Sequence, residues 1–146
     1  MKSWSNPDVT IIGAEPFING VATCLGKLRE TPASNLRIHM GDARDLFDVL
    51  PEGSLDKAFL LYPDPWPKSR HHRRRFVTPE HLEPLARAMR PGAELRVATD
   101  IPDYVRQTLE EVPKAGFTCT AATGDAWPDW TRTRYEVKAI REDRTP

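Results

Sequence analysis

The chain has 146 residues, the length of one domain, with 39% hydrophobic and 29% charged residues, a balance that argues for a soluble globular protein and against a disordered tail. No apolar run approaches the roughly 20 residues that cross a bilayer, and no basic stretch followed by an apolar one opens the chain, so neither a membrane helix nor a secretory signal is expected. Lys plus Arg and Asp plus Glu stand at 21 each, so net charge gives no bias toward nucleic acid.

Taken in chain order, "DVTIIGAE" (8–15) is a short β-branched run closed by a glycine and a glutamate. The spacing of Val21, Leu25 and Leu28 predicts a helix over 19–30 with those three on one face. "NLRIHMGDA" (35–43) alternates like a half-buried strand and stops at Gly-Asp. A brief helix is expected in 43–54, closed by a Pro-Gly turn. The continuous apolar character of 55–66 predicts a buried strand. Thr78 and Pro79 start a helix expected to run to Pro91-Gly92. A strand over 94–100, a helix over 101–116 and a last strand over 117–123 follow. The final 22 residues are rich in Pro, Trp and Arg and irregular.

Strands alternating with helices predict an α/β fold with an open, mostly parallel sheet, formed by one domain over 1–146. Cys24 and Cys119 match no ligand spacing and read as reduced structural thiols of a cytosolic protein.

Ligands of such sheets bind beyond the carboxyl ends of the strands. Each of the first four expected strands stops at an acid: Glu15, Asp42, Asp64 and Asp100. Strands must end somewhere and acids are frequent, but four such ends predict an acidic ligand-binding edge. Glu15, after Gly13, suits two adjacent ribose hydroxyls, and a dinucleotide site would use it equally well. Asp42 suits the amine of an adenine or, as readily, the N-cap of the next helix.

Pro63-Asp64-Pro65-Trp66 is more specific. Two prolines stiffen the backbone around Asp64 and fix its aim, which a strand end tolerates. A held carboxylate can accept from N1–H and the exocyclic amine of guanine, and Trp66 can stack on the base or wall the pocket. The plainer alternative is a rigid turn that anchors a core tryptophan. Lys68, Arg70, Arg73, Arg74 and Arg75 then place five positive charges in eight residues, with His71 and His72 between them. Removing these five from 21 leaves the rest of the chain with 16 basic against 21 acidic residues. Such a stripe is either a solvated face or a set of phosphate contacts, and the adjacent base-sized site favours phosphate. Adjacent histidines on an extended chain point apart, so no metal is expected.

"YPDPWPKSRHHRRRF", with "GAEPFINGVA" upstream and "ATD" and "TRYE" downstream, resembles the bacterial tRNA (guanine-N7)-methyltransferase family, collinearly over nearly the whole chain. The resemblance implies a Rossmann-like class I methyltransferase sheet and methyl transfer from S-adenosyl-L-methionine to N7 of guanine 46 in the variable loop of tRNA. It implies a cytoplasmic enzyme with tRNA as partner and neither membrane nor metal. By position, Glu15, Asp42 and Asp64 match cofactor-binding acids, with Asp64 also the active-site residue. Lys68, Asp100, Thr133, Arg134, Tyr135 and Glu136 match substrate contacts, and Arg70, His71, His72, Arg73, Arg74 and Arg75 the RNA-contacting segment. The family's Glu-x-Gly-x-Gly-x-Gly first strand has no counterpart in these residues, and its last strand is also missing. The sequence is therefore expected to be a piece of a longer protein, truncated at both ends, and the strand leading to Asp64 to lack one neighbour. Two other readings are an RNA-binding fragment without catalysis, and a nucleotide-binding domain of dehydrogenase type. The latter leaves the arginine run unexplained.

Overall fold

The computed structural model describes residues 8–130, 137 and 140–142. The chain forms two compact units, residues 1–49 and 50–146. Both are mixed α/β, as the alternation of patterns predicts.

The first unit is a β-α-β arrangement of β1 (Ile11–Ala14), α1 (Ile18–Glu30) and β2 (Leu36–His39), followed by the one-turn helix α2 (Arg44–Phe47). β1 and β2 pair in parallel, from Ile11 opposite Leu36 to Ala14 opposite His39. The Glu15 amide extends the ladder by donating to the His39 carbonyl at 3.0 Å. Lys27 and Arg29 in the last turn of α1 complement the negative end of its dipole. Val21, Leu36 and Phe47 are its buried apolar side chains among the described residues. Of the face expected on α1, Val21 is buried and Leu28 half-buried, whereas Leu25 is 50% exposed.

The second unit contains β3 (Leu55–Leu61), a 3-10 segment (Ser69–Arg74), α3 (Pro79–Ala88), β4 (Met89–Ala98), α4 (Pro102–Glu111) and a second 3-10 turn (Val112–Ala115). β3 and β4 run parallel, Lys57 opposite Glu94 through Leu61 opposite Ala98, with an irregularity between Leu55 and Lys57. Val77, Leu82 and Tyr104 are fully buried together, and Leu60, Phe76, Ile101, Val112 and Ala115 pack around them. The core thus joins the segment after the basic stripe, α3 and α4.

Several boundaries differ from expectation. α3 begins at Pro79 as predicted but ends at Ala88, because Met89 already has extended backbone (φ −84°, ψ 136°) and opens β4. β3 is not buried on both faces. Asp56, Lys57, Phe59 and Leu61 are exposed, since its apolar run packs from one side only. Residues 117–123 form no strand, and among the described residues no neighbouring strand is present to complete their backbone hydrogen bonds. β3 pairs with β4 alone among the described residues, which agrees with the expected missing neighbour of the strand leading to Asp64.

Candidate functional site

Each unit places two of the four acids beyond the carboxyl ends of paired strands. In the first, Glu15 follows β1 directly and Asp42 follows β2 by three residues. Glu15 turns back on the start of α1, where its Oε1 accepts the Phe17 amide at 3.0 Å. This is possible because residue 20 is glycine. A Cβ there would lie 2.8 Å from Glu15 Cγ and 3.2 Å from Oε2. Asp42 Oδ1 accepts the Arg44 amide at 2.9 Å, and Oδ2 pairs with the Arg44 guanidinium. The Arg44 pKa is raised, first by its hydrogen bond to Asp42. Asp42 thus bonds locally just ahead of α2, whose N-cap position is Ala43.

In the second unit, Asp64 and Asp100 leave the same edge, three residues beyond Leu61 and two beyond Ala98. The Tyr62 amide donates to the Ala98 carbonyl at 2.8 Å, so pairing persists up to the loop that carries Asp64. Asp64 itself is exposed, and its carboxylate makes no hydrogen bond among the described residues. It lies close enough to Tyr104 for its charge to help raise the tyrosine pKa, an effect secondary to burial. Asp100 is half-buried just ahead of α4, and the neighbouring Ile101 amide donates to Thr99 Oγ1 at 3.2 Å.

The loop is strained. Tyr62 and Trp66 have φ of +49° and +39°, left-handed values rare for aromatic residues. Each directly precedes a proline, which normally drives its predecessor into extended backbone. Pro63 and Pro65, which the sequence suggests stiffen the backbone around Asp64, do not flank it in a relaxed turn. They sit in a strained one, of the kind that persists only when surrounding contacts over-determine it.

The basic stripe becomes the 3-10 segment, with Lys68 exposed at its start and its carbonyl accepting the His71 amide at 2.8 Å. Arg70, Arg73 and Arg74 are exposed, and His71 and His72 half-buried. The Arg74 guanidinium lies 5.0 Å from the centre of the Trp66 ring, and His71 meets that ring edge-on at 5.8 Å. Trp66 is thus neither a core residue nor a bare platform; a cation already lies against its ring. His72 Nε2 lies 3.5 Å from Asp103 Oδ2.

Arg75 departs from its neighbours. It is 1% exposed, its guanidinium lies inside the unit, and it is not presented to a phosphate. Nε donates to the Pro65 carbonyl at 2.8 Å, and Nη1 to Asp103 Oδ2 at 2.8 Å and Gln107 Oε1 at 2.9 Å. Asp103 is held below the usual carboxylate range, by the hydrogen bond from Arg75 first and that from Arg106 second. Tyr104, Asp103, Gln107 and the buried His81 were not singled out by sequence. The available signal was Arg75 itself, since it directly precedes the apolar pair Phe76-Val77 that enters the core.

Thr133, Arg134, Tyr135 and Glu136 lie outside the described residues. Cys24 and Cys119 are free thiols, half-buried and exposed respectively. Among the described residues no group of three or more His, Cys, Asp or Glu is arranged to hold a metal ion. No helix among them is long and apolar enough to cross a membrane.

A family model described as "Putative methyltransferase" matches residues 2–145. The chain is 71% identical over 146 residues to a protein of Ruegeria sp. named tRNA (guanine-N(7)-)-methyltransferase, covering 97% of this chain and 57% of that one. A protein of the same name from Paracoccus denitrificans is 71% identical over 140 residues, covering 96% of this chain and 60% of its own length. Another from Caulobacter vibrioides is 49% identical over 139 residues, covering 92% and 62%. The chain therefore spans about three-fifths of the length of these relatives. With the match running along almost all of its residues, the chain belongs to this methyltransferase family.

Proposed function

We propose that the chain carries the guanine-binding part of a cytoplasmic tRNA (guanine-N7)-methyltransferase, acting on guanine 46 with S-adenosyl-L-methionine as donor. The observation that carries this reading is the exposed, unengaged Asp64 carboxylate, held in a strained loop at the carboxyl end of β3 beside exposed Lys68, Arg70, Arg73 and Arg74. The names of the relatives agree with it.

The residue types suit the chemistry. Guanine N7 has a free lone pair and no proton, so it needs no general base to become a nucleophile. S-adenosyl-L-methionine supplies a methyl group on a positively charged sulfur. Asp64 has both oxygens available for guanine N1–H and the exocyclic amine. Its negative charge also favours the purine as that ring gains positive charge, so its contribution is orientation and electrostatics. Lys68, Arg70, Arg73 and Arg74 supply the phosphate contacts, with His71 and His72 between them; Asp100 and residues 133–136 complete the substrate side.

Donor-side residues fit unequally. Glu15 keeps Oε2 clear of its bond to Phe17 and can accept from a ribose hydroxyl. Asp42 is paired with Arg44, so an adenine amine there would share an engaged carboxylate.

Incubating the chain with labelled S-adenosyl-L-methionine and bulk tRNA tests the reading, with label expected at guanine N7. In the complete enzyme, Asp64→Ala is expected to lower transfer by about a hundredfold or more while leaving most tRNA affinity. Transfer near the parent level would remove Asp64 from the active site. Salt-sensitive tRNA binding without any transfer would favour the RNA-binding fragment.

A further inference from the structure

We propose that Arg75 is a positioning residue that holds the Asp64 loop in its strained form, rather than a member of the phosphate-binding stripe. The inference rests on the reading of Asp64 given above for its functional meaning, but not for its geometry.

The guanidinium is a planar fork with five donors. Two of these point at the loop, Nε to the Pro65 carbonyl at 2.8 Å and Nη2 to the Trp66 carbonyl at 3.4 Å. On its other side Nη1 reaches Asp103 and Gln107, both on α4, and the group lies 5.2 Å from the centre of the Tyr104 ring. Four of the five donors are thus engaged inside the unit, and a phosphate would have to break this set. The backbone of Arg75 is pinned as well. Its carbonyl lies 3.1 Å from His81 Nδ1, and its amide donates to the His72 carbonyl at 3.0 Å. Gln107 in turn donates to the Val77 carbonyl at 3.2 Å.

The consequence falls on Asp64. Its peptide link to Pro65 leads directly into the two carbonyls that Arg75 grips, and on the other side Tyr62 is tied to Ala98. Left-handed backbone at Tyr62 and Trp66 is sterically costly and relaxes unless held. Arg75 supplies the hold on the Trp66 side. Lysine cannot substitute, because a single ammonium cannot span two carbonyls and two α4 side chains in fixed directions.

Two variants separate positioning from phosphate contact. Arg75→Lys keeps the charge and removes the fork. Its expected signature is movement of the Trp66 Cα and amide resonances away from left-handed values and, at the Tyr62 amide bonded to Ala98, hydrogen exchange faster by about tenfold or more, with the amides of α1 unchanged. Where methyl transfer is measured, kcat falls with KM for tRNA unchanged, whereas a core variant such as Leu82→Val lowers stability without that selective change. Arg75→Gln removes the charge. The salt dependence of bulk tRNA binding should then stay as in the parent, while Arg74→Gln flattens it by about 0.7–0.9 in log–log slope, the share of one phosphate. Gln107→Leu gives a milder change in the same Tyr62 and Trp66 signals if the Arg75 variants fail to fold. Unchanged Tyr62 exchange and Trp66 resonances in Arg75→Lys, or a slope lowered by Arg75→Gln as much as by Arg74→Gln, overturns the proposal. If Arg75→Lys loosens the loop while Asp64→Asn transfers methyl like the parent, the clamp stands and the active-site reading of Asp64 fails.

Discussion

The two units use the same device, a parallel strand pair with acids beyond its carboxyl ends, but support it to different depths. The Glu15 carboxylate accepts the Phe17 amide and the Asp42 carboxylate the Arg44 amide, each two positions away, while the Glu15 amide bonds to His39 across the strand pair. Asp64 makes no such bond, and its loop is tied through Arg75 to residues 28 and 32 positions further along the chain. Local bonds survive or fail with their own turn, whereas long-range bonds survive as long as the core does. The carboxylates proposed for the cofactor are therefore ordered by local bonds beside a strand pair, whereas the loop that carries the acid proposed for guanine is tied through Arg75 to α4.

The sharpest way to break this contrast is to cut the core under each unit. Leu82 is fully buried, and Leu82→Ala is expected to cost about 2–5 kcal/mol in denaturant unfolding. Leu36 is one of only three buried apolar side chains in the first unit among the described residues, and Leu36→Ala should cost about 2 kcal/mol, the low end of that range. Equal losses would mean that the first unit owes its order to a core as deep as that of the second.

A smaller effect belongs to Tyr104. Its hydroxyl is buried beside the Phe76 and Val77 backbone without a hydrogen-bond partner among the described residues. Tyr104→Phe keeps the ring under Arg75 and removes an unpaired polar group, so stability should rise by about 1 kcal/mol. Burial pushes the tyrosine pKa up to about 12. A raised pKa favours the protonated native form, so this group leaves stability unchanged below about pH 10 and lowers it as pH rises toward 12. A phenolate absorbance titration reads the value directly, and a midpoint near 10 would mean an open site.

The smallest effect is expected at Asp103. Its lowered pKa means that its contribution is present above the ordinary carboxylate range near ~4 and is lost only as pH falls through the lowered value. NMR titration should place it below that range. Arg106→Gln should bring it only part of the way back, because the larger cause is Arg75.

The strands, the four acids and the basic stripe were legible because each depends on local pattern. β1, β2, β3 and the carboxyl part of β4 lie where apolar runs stop at an acid. What escaped the sequence depends on partners far away in the chain. Arg75 reads as one more cation until Asp103 and Gln107 close around it. The strand expected over 117–123 has suitable residues, but its hydrogen bonds need a neighbour that the pattern cannot supply. Phe59 and Leu61 read as buried because both are apolar, yet they are 43% and 38% exposed, since burial depends on what covers the sheet. The strain in the loop was hidden for the opposite reason. Proline rules predict extended backbone at Tyr62 and Trp66, and tertiary bonds override them.

That strain sets stability and activity against each other at single positions. Glycine at 62 or 66 would adopt the left-handed backbone without steric cost, so a search for thermostable variants has a physical reason to sample it. The same change would remove an aromatic wall and let the carboxylate wander. Selection on melting temperature alone would therefore tend to dismantle the aim of Asp64, and these two aromatic residues mark where such engineering should stop.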